Sequence, residues 1–147
     1  MIKILTSIIG IFLFLISISW SMIEIDITEG NREPLPIAIT EFFYDESAKE
    51  LLEDVSSNMR TVMSADLERS GLFKSINKEA FIQANKSMHL KPRFEDWRLI
   101  KAQGLVTGDL SLEGEKLKVE FRLWDTLAEK EIEALVLITT QDNWRRV

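Results

Sequence analysis

The chain has 147 residues, a formal net charge of −6 and 46% apolar residues, enough material for one compact domain with a hydrophobic core. It has no cysteine and a single histidine, which excludes disulfides, thiolate metal sites, a cysteine nucleophile and lipid attachment through an N-terminal cysteine. The acidic balance provides no general attraction for nucleic acid or anionic lipid.

Lys3 precedes a mostly apolar run from Ile4 to Ile18, and Ser19-Trp20-Ser21 places small residues at the two positions a signal peptidase reads before Met22. This layout predicts a secretory signal peptide over residues 1–21, cleaved after Ser21. The competing reading, an uncleaved anchor, needs about 20 apolar residues, and the run is shorter. Residues 22–147 are therefore expected to form one domain outside the cytoplasm. They contain no repeat, low-complexity tract or long linker.

Met22-Ile23-Glu24-Ile25-Asp26-Ile27 alternates apolar and polar residues, the period of a half-buried strand. A polar stretch to Pro36 follows, then Ile37 to Phe43, suited to a more buried strand. Ser47-x-x-Glu50 predicts a capping box, and Leu51, Leu52, Val55, Met59, Val62, Met63 and Leu67 form the apolar stripe of the helix behind it. Gly71 stands where a helix commonly ends in the left-handed conformation. Leu72 to Ile76 reads as a short strand, and Lys78 to Lys91 has no clear period. A second helix opens at Pro92-Arg93-Phe94 and carries Phe94, Trp97 and Ile100, with Gly104 expected to close it and Gly108 expected at a strand bulge or turn.

The last third is β. Leu105 to Leu112 leads into the turn Glu113-Gly114-Glu115, and Leu117, Val119, Phe121 and Leu123 alternate with Lys118, Glu120 and Arg122. Ile132 to Ile138 makes a further strand, and Thr140-Gln141-Asp142 reads as a helix start. The order predicts an α/β fold: a two-layer sandwich with a mixed sheet of about five strands, two helices on one face and a third helix truncated at Val147. The N-terminal strand is the edge expected to move.

Activated groups are scarce. His89 lies alone in the unperiodic segment and is read as a loop residue, and a zinc site would need unusual carboxylate help. No phosphate-binding glycine pattern exists. Glu53-Asp54 and Glu95-Asp96 read as helix-surface charges, and no serine has a recognisable base beside it. The sequence therefore predicts no enzyme, no metal site and no cofactor. Trp97 and Trp124 are expected in the core. Trp144-Arg145-Arg146 suits the first turn of a packed helix better than a partner-facing patch.

Five segments in order resemble the N-terminal domain of the TolB family, periplasmic components of the Tol-Pal system. The most specific are Phe121-Arg122-Leu123-Trp124-Asp125 and Asp142-Asn143-Trp144-Arg145-Arg146, supported by Ala65 to Phe73, Pro92 to Trp97 and Pro36 to Ile39. The resemblance covers Met22 to Val147. It implies a non-catalytic periplasmic role in outer-membrane integrity and in drawing that membrane inward during division. It also implies a partner-binding segment at the mature N-terminus, docked or released, that serves as the epitope for the C-terminal domain of TolA. The matching positions are Met22, Ile23, Glu24, Ile25, Asp26, Ile27, Thr28, Glu29 and Gly30. The family continues with the rest of the last helix and a β-propeller, its main surface for the lipoprotein Pal. The present sequence has neither, so propeller-mediated Pal binding is not implied. No nucleic acid or small-molecule substrate is expected. Two other readings stay open: an accessory domain docking an envelope synthase or secretion complex through a sheet edge, and a small periplasmic hydrolase.

Overall fold

Strands β1 (Leu35–Ile39), β2 (Phe73–Ser75), β3 (Gly104–Glu113), β4 (Lys116–Asp125) and β5 (Lys130–Thr140) form a single mixed sheet in the order β2-β1-β3-β4-β5. They belong to a computed structural model that describes residues 33–83 and 90–146. β1 runs parallel to both β2 and β3, and β3, β4 and β5 make an antiparallel meander. With helices α1 (Lys49–Arg69) and α2 (Phe94–Leu99), the architecture is the expected α/β fold on a five-stranded mixed sheet. The strand expected at Met22–Ile27 lies outside the described residues.

The two helices do not share a face. Successive strand residues point to opposite sides of a sheet, so Ile37 and Ile39 face one way and Ala38 the other. Ile37, Ile39 and Val106 pack with Met63 and Leu67 of α1, and α1 also places Leu52 and Met59 against Phe42, Leu110, Leu117 and Val119. Ala38 and Leu105 instead pack with Phe94 and Trp97 of α2 and with Trp124. The expectation of two helices on one face is corrected here, and strand order gives the reason. Parallel crossovers are right-handed. The β1–α1–β2 crossover steps outward from β1, whereas β2–α2–β3 steps back across it, so their helices fall on opposite sides.

Local chemistry shapes each element. α1 ends at Arg69, and Gly71 takes the left-handed conformation (φ 74°) as predicted. Its start differs from the sequence reading. A 3-10 turn at Glu46–Ala48 precedes Lys49, Ala48 N–H donates to Asp45 O at 2.8 Å, and no side chain caps the helix, so the Ser47–Glu50 box does not form. Leu51, expected in the apolar stripe, is exposed. The buried side instead includes Ser56, whose hydroxyl donates to Phe42 O at 2.8 Å. α2 ends at Leu99, where Lys101 (φ 62°), not Gly104, turns the backbone.

Gly104 begins β3. Gly108 lies within its regular ladder rather than at a bulge, where the Phe42 side chain comes too close for any Cβ. Gly114 (φ 66°) makes the two-residue β3–β4 turn. The buried Thr126 hydroxyl donates to Ala102 O, fastening the β4–β5 connection to the loop before β3. Beyond β5 the chain forms a 3-10 helix, Gln141–Arg146, in place of an α-helical start, and Thr140 Oγ1 accepts from the Asn143 side chain at 2.9 Å.

Candidate interaction surfaces

Among the described residues, no three His, Cys, Asp or Glu side chains gather where a metal ion could sit. Glu53, Asp54 and Glu95 are exposed on their helices, and Asp96 pairs with Arg93 at 2.7 Å. Among the described residues, two groups at the entry to α1 titrate away from their ordinary range. Burial raises the Tyr44 phenol, with Glu53 adding to the effect, and the Glu46 carboxylate, 3.4 Å away, raises Lys49. Both shifts favour the protonated form, which suits fastening a helix start rather than proton abstraction. His89 lies outside the described residues.

The tryptophans fall as expected. Trp97 and Trp124 are buried. Trp97 meets Phe81 edge-on at 5.1 Å between ring centres, and its Nε1–H donates to Gln83 at 3.2 Å. Trp124 donates to Thr107 Oγ1 at 3.0 Å. Trp144 packs half-buried at the margin of the α1 core, and the Arg145 guanidinium lies 5.5 Å from its ring centre.

Three of the concave surfaces among the described residues bear on binding. The first, about 270 Å³, is almost wholly apolar and lies at the base of the sheet, lined by Leu35, Phe73, Leu123, Leu127 and Ile132 among others. It adjoins the start of β1, an interior strand of the sheet into which residues 33 and 34 lead. The second, about 180 Å³, opens between Met59, Met63, Phe121, Leu137 and Trp144. The third lies by Arg60 and Lys78, and its cations are already answered. Arg60 Nε–H donates to Ile39 O at 3.0 Å and its guanidinium lies 6.0 Å from the Phe81 ring centre, while Lys78 pairs with Glu41 at 3.3 Å.

The other outward-facing feature is β5. A continuous apolar run such as Ala134 to Ile138 commonly marks a strand buried on both faces. Here it forms the sheet edge, with Ile132, Leu135, Val136 and Ile138 between 44% and 60% exposed. The predicted partner segment, Met22 to Gly30, lies outside the described residues, so the structure brings none of its nine residues into a site. Sequence periodicity locates β5 but not its exposure, because edge position depends on strand order.

The fold and these surfaces define, among the described residues, an open-sheet α/β module that presents apolar grooves and an exposed apolar strand. Residues 23–132 match the TolB amino-terminal domain. The chain belongs to that family. It is 49% identical over 135 residues to the Tol-Pal system protein TolB of Pelagibacter ubique, an alignment covering 88% of this chain and 30% of that relative. The chain thus spans under a third of the relative's length.

Among solved structures, TolB from Acinetobacter baumannii aligns with a TM-score of 0.55 at 22% identity, over 76% of this chain and 25% of that one. The C-terminal domain of LpoB from Escherichia coli aligns with a TM-score of 0.55 at 9% identity, over 72% and 82% respectively. These structural likenesses speak to the fold.

Proposed function

We propose that the chain is exported, cleaved after Ser21, and serves in the periplasm as a non-enzymatic interaction domain of the Tol-Pal system. In this reading Met22 to Gly30 is a switchable epitope for the C-terminal domain of TolA, and the domain supports outer-membrane integrity and its inward movement during division. The observation that carries the reading is the family match over residues 23–132 together with 49% identity to a Tol-Pal TolB.

The chemistry of the segment suits the task. Ile23, Ile25 and Ile27 alternate with Glu24 and Asp26, so an extended segment offers one apolar face and a free backbone to a partner's sheet edge. Ordering such a segment on binding costs entropy, which keeps affinity modest and exchange reversible.

Calorimetric titration of the C-terminal domain of TolA into the exported chain, with and without Met22–Gly30, tests this. Saturable heat from the longer chain alone is expected, with both versions folded by circular dichroism. Equal binding by both, or by neither, overturns the assignment of the epitope. N-terminal sequencing of the exported protein, expected to begin at Met22, tests the cleavage.

A further inference from the structure

Among the described residues the sheet has two edges, and they are unequal. β2 has three residues, too few to template another strand, whereas β5 has eleven. Protected edges carry charges, prolines or bulges that spoil pairing. On β5 such devices are confined to its first part: Lys130, Glu131, Glu133 and a register shift opposite Leu123 and Trp124. The seven residues from Ala134 to Thr140 contain no charge, proline or glycine. Within the sheet, Val136 lies opposite Glu120 and Ile138 opposite Lys118. Those two β4 side chains pair with each other at 3.1 Å. Val136 and Ile138, 53% and 60% exposed, thus have charged neighbours on their inner side, and among the described residues no strand pairs with them on the outer side.

We propose that this edge is a homotypic interface: Ala134–Thr140 of one copy pairs antiparallel with the same residues of a second copy about a two-fold axis at Leu137. In that register each Val136 meets the other copy's Ile138, Leu137 meets Leu137, and Leu135 meets Thr139. The charged first part of each strand passes beyond the other's Thr140, so Glu131 and Glu133 meet no apolar residue. Sliding the axis to Leu135 would instead set Glu133 against Leu137. A two-fold axis normal to the sheet keeps α1 of both copies on the same face and continues the sheet from one molecule into the next. It also consumes the β5 edge of both copies and leaves only the three-residue β2 edges, so the assembly closes at two copies. Seven paired residues supply roughly six to eight backbone hydrogen bonds, somewhat fewer than the ~10 of a standard interface. A reversible dimer is therefore expected. This interface stands apart from the proposed TolA epitope and does not depend on it.

Light scattering and sedimentation of the purified chain should show a concentration-dependent monomer–dimer equilibrium. Val136→Lys should raise the dimer dissociation constant at least about tenfold while leaving the melting temperature of the monomer unchanged, since the residue is exposed. The natural chain has no cysteine, which makes cross-linking specific. A mixture of Val136→Cys and Ile138→Cys chains should form a disulfide-linked dimer under mild oxidation, whereas either variant alone should not. A strictly monomeric chain, a dimer indifferent to Val136→Lys, open-ended polymers, or equal cross-linking by the single variants would each overturn the proposal. A monomer that instead binds an extended peptide through β5 would also overturn it, assigning the edge to a different strand. Loss of TolA binding on removing Met22–Gly30 would leave every one of these outcomes unchanged.

Discussion

Phe42 and Gly108 are in such close contact that a Cβ added to Gly108 would lie 2.3 Å from two carbons of the Phe42 ring. The same Cβ would come within 2.7 Å of the Glu120 carbonyl. Phe42 is 1% exposed and packed among Leu52, Leu110 and Val119, so even a shift of the ring toward the adjoining cavity of about 180 Å³ disturbs that packing. Gly108→Ala is expected to cost about 2–3 kcal/mol of stability by overpacking, read as a lower midpoint in urea unfolding. Adding Phe42→Leu should recover part of that loss, because the two sites are coupled through one contact. A neutral Gly108→Ala would contradict the contact.

Ser56 predicts a second effect at the same place. Its hydroxyl reaches from α1 to the Phe42 carbonyl at 2.8 Å, with the serine 1% exposed. Ser56→Ala removes the only side chain shown donating to that carbonyl and leaves a buried acceptor unmet, at a cost of about 1–3 kcal/mol. Ser57→Ala, on the exposed side of the helix, should fall within ~0.5 kcal/mol of the parent. Equal effects from the two serines would mean that the hydrogen bond contributes nothing.

Much of this was legible in the residues, and what was not has a common cause. The alternation of Leu117, Val119, Phe121 and Leu123 gave β4, and Gly71 marked a helix end, because both signals are local. Ser47 and Glu50 misled because a 3-10 turn at Glu46–Ala48 displaced the helix start by backbone hydrogen bonding that side-chain pattern does not encode. The face chosen by α2 and the exposure of β5 both follow from strand order, which periodicity within a segment cannot specify. Alternation in Met22 to Ile27 speaks only for a strand; the epitope, Met22 to Gly30, is what the resemblance implies, and it lies outside the described residues.

Placement of the helices on opposite faces makes a thermodynamic prediction. Leu52 and Phe94 lie in separate clusters with the sheet between them. Leu52→Val and Phe94→Leu are each expected to cost on the order of 1–2 kcal/mol, and the double variant should equal their sum within ~0.5 kcal/mol. Had both helices packed on one face, side by side, a shared core would couple them. A clear interaction energy in the double-mutant cycle would therefore speak against the layer arrangement.

The entry to α1 sets an alkaline limit on stability. Tyr44, ordinarily at 10.0, is raised in the folded protein, first by burial and then by Glu53. Lys49, ordinarily at 10.5, is raised by Glu46. Both groups hold their proton more tightly folded than unfolded, so their contribution is fully present below the unfolded values and is lost as pH rises through the folded ones. The sign is the same for both, although the charge each loses or gains is not: Tyr44 would acquire a negative charge beside Glu53, whereas Lys49 would give up the positive charge that pairs with Glu46. The melting temperature should therefore fall with pH above 10.0, more steeply than in a chain lacking the phenol and the Lys49 pair. Tyr44→Phe, which cannot ionise, should flatten that fall while changing little at neutral pH, and Lys49→Gln should remove a smaller, more salt-sensitive part because the pair is exposed. Thermal melts of the three proteins across the alkaline range decide the matter: an identical slope for parent and Tyr44→Phe would show that the phenol's burial does not contribute to the alkaline transition.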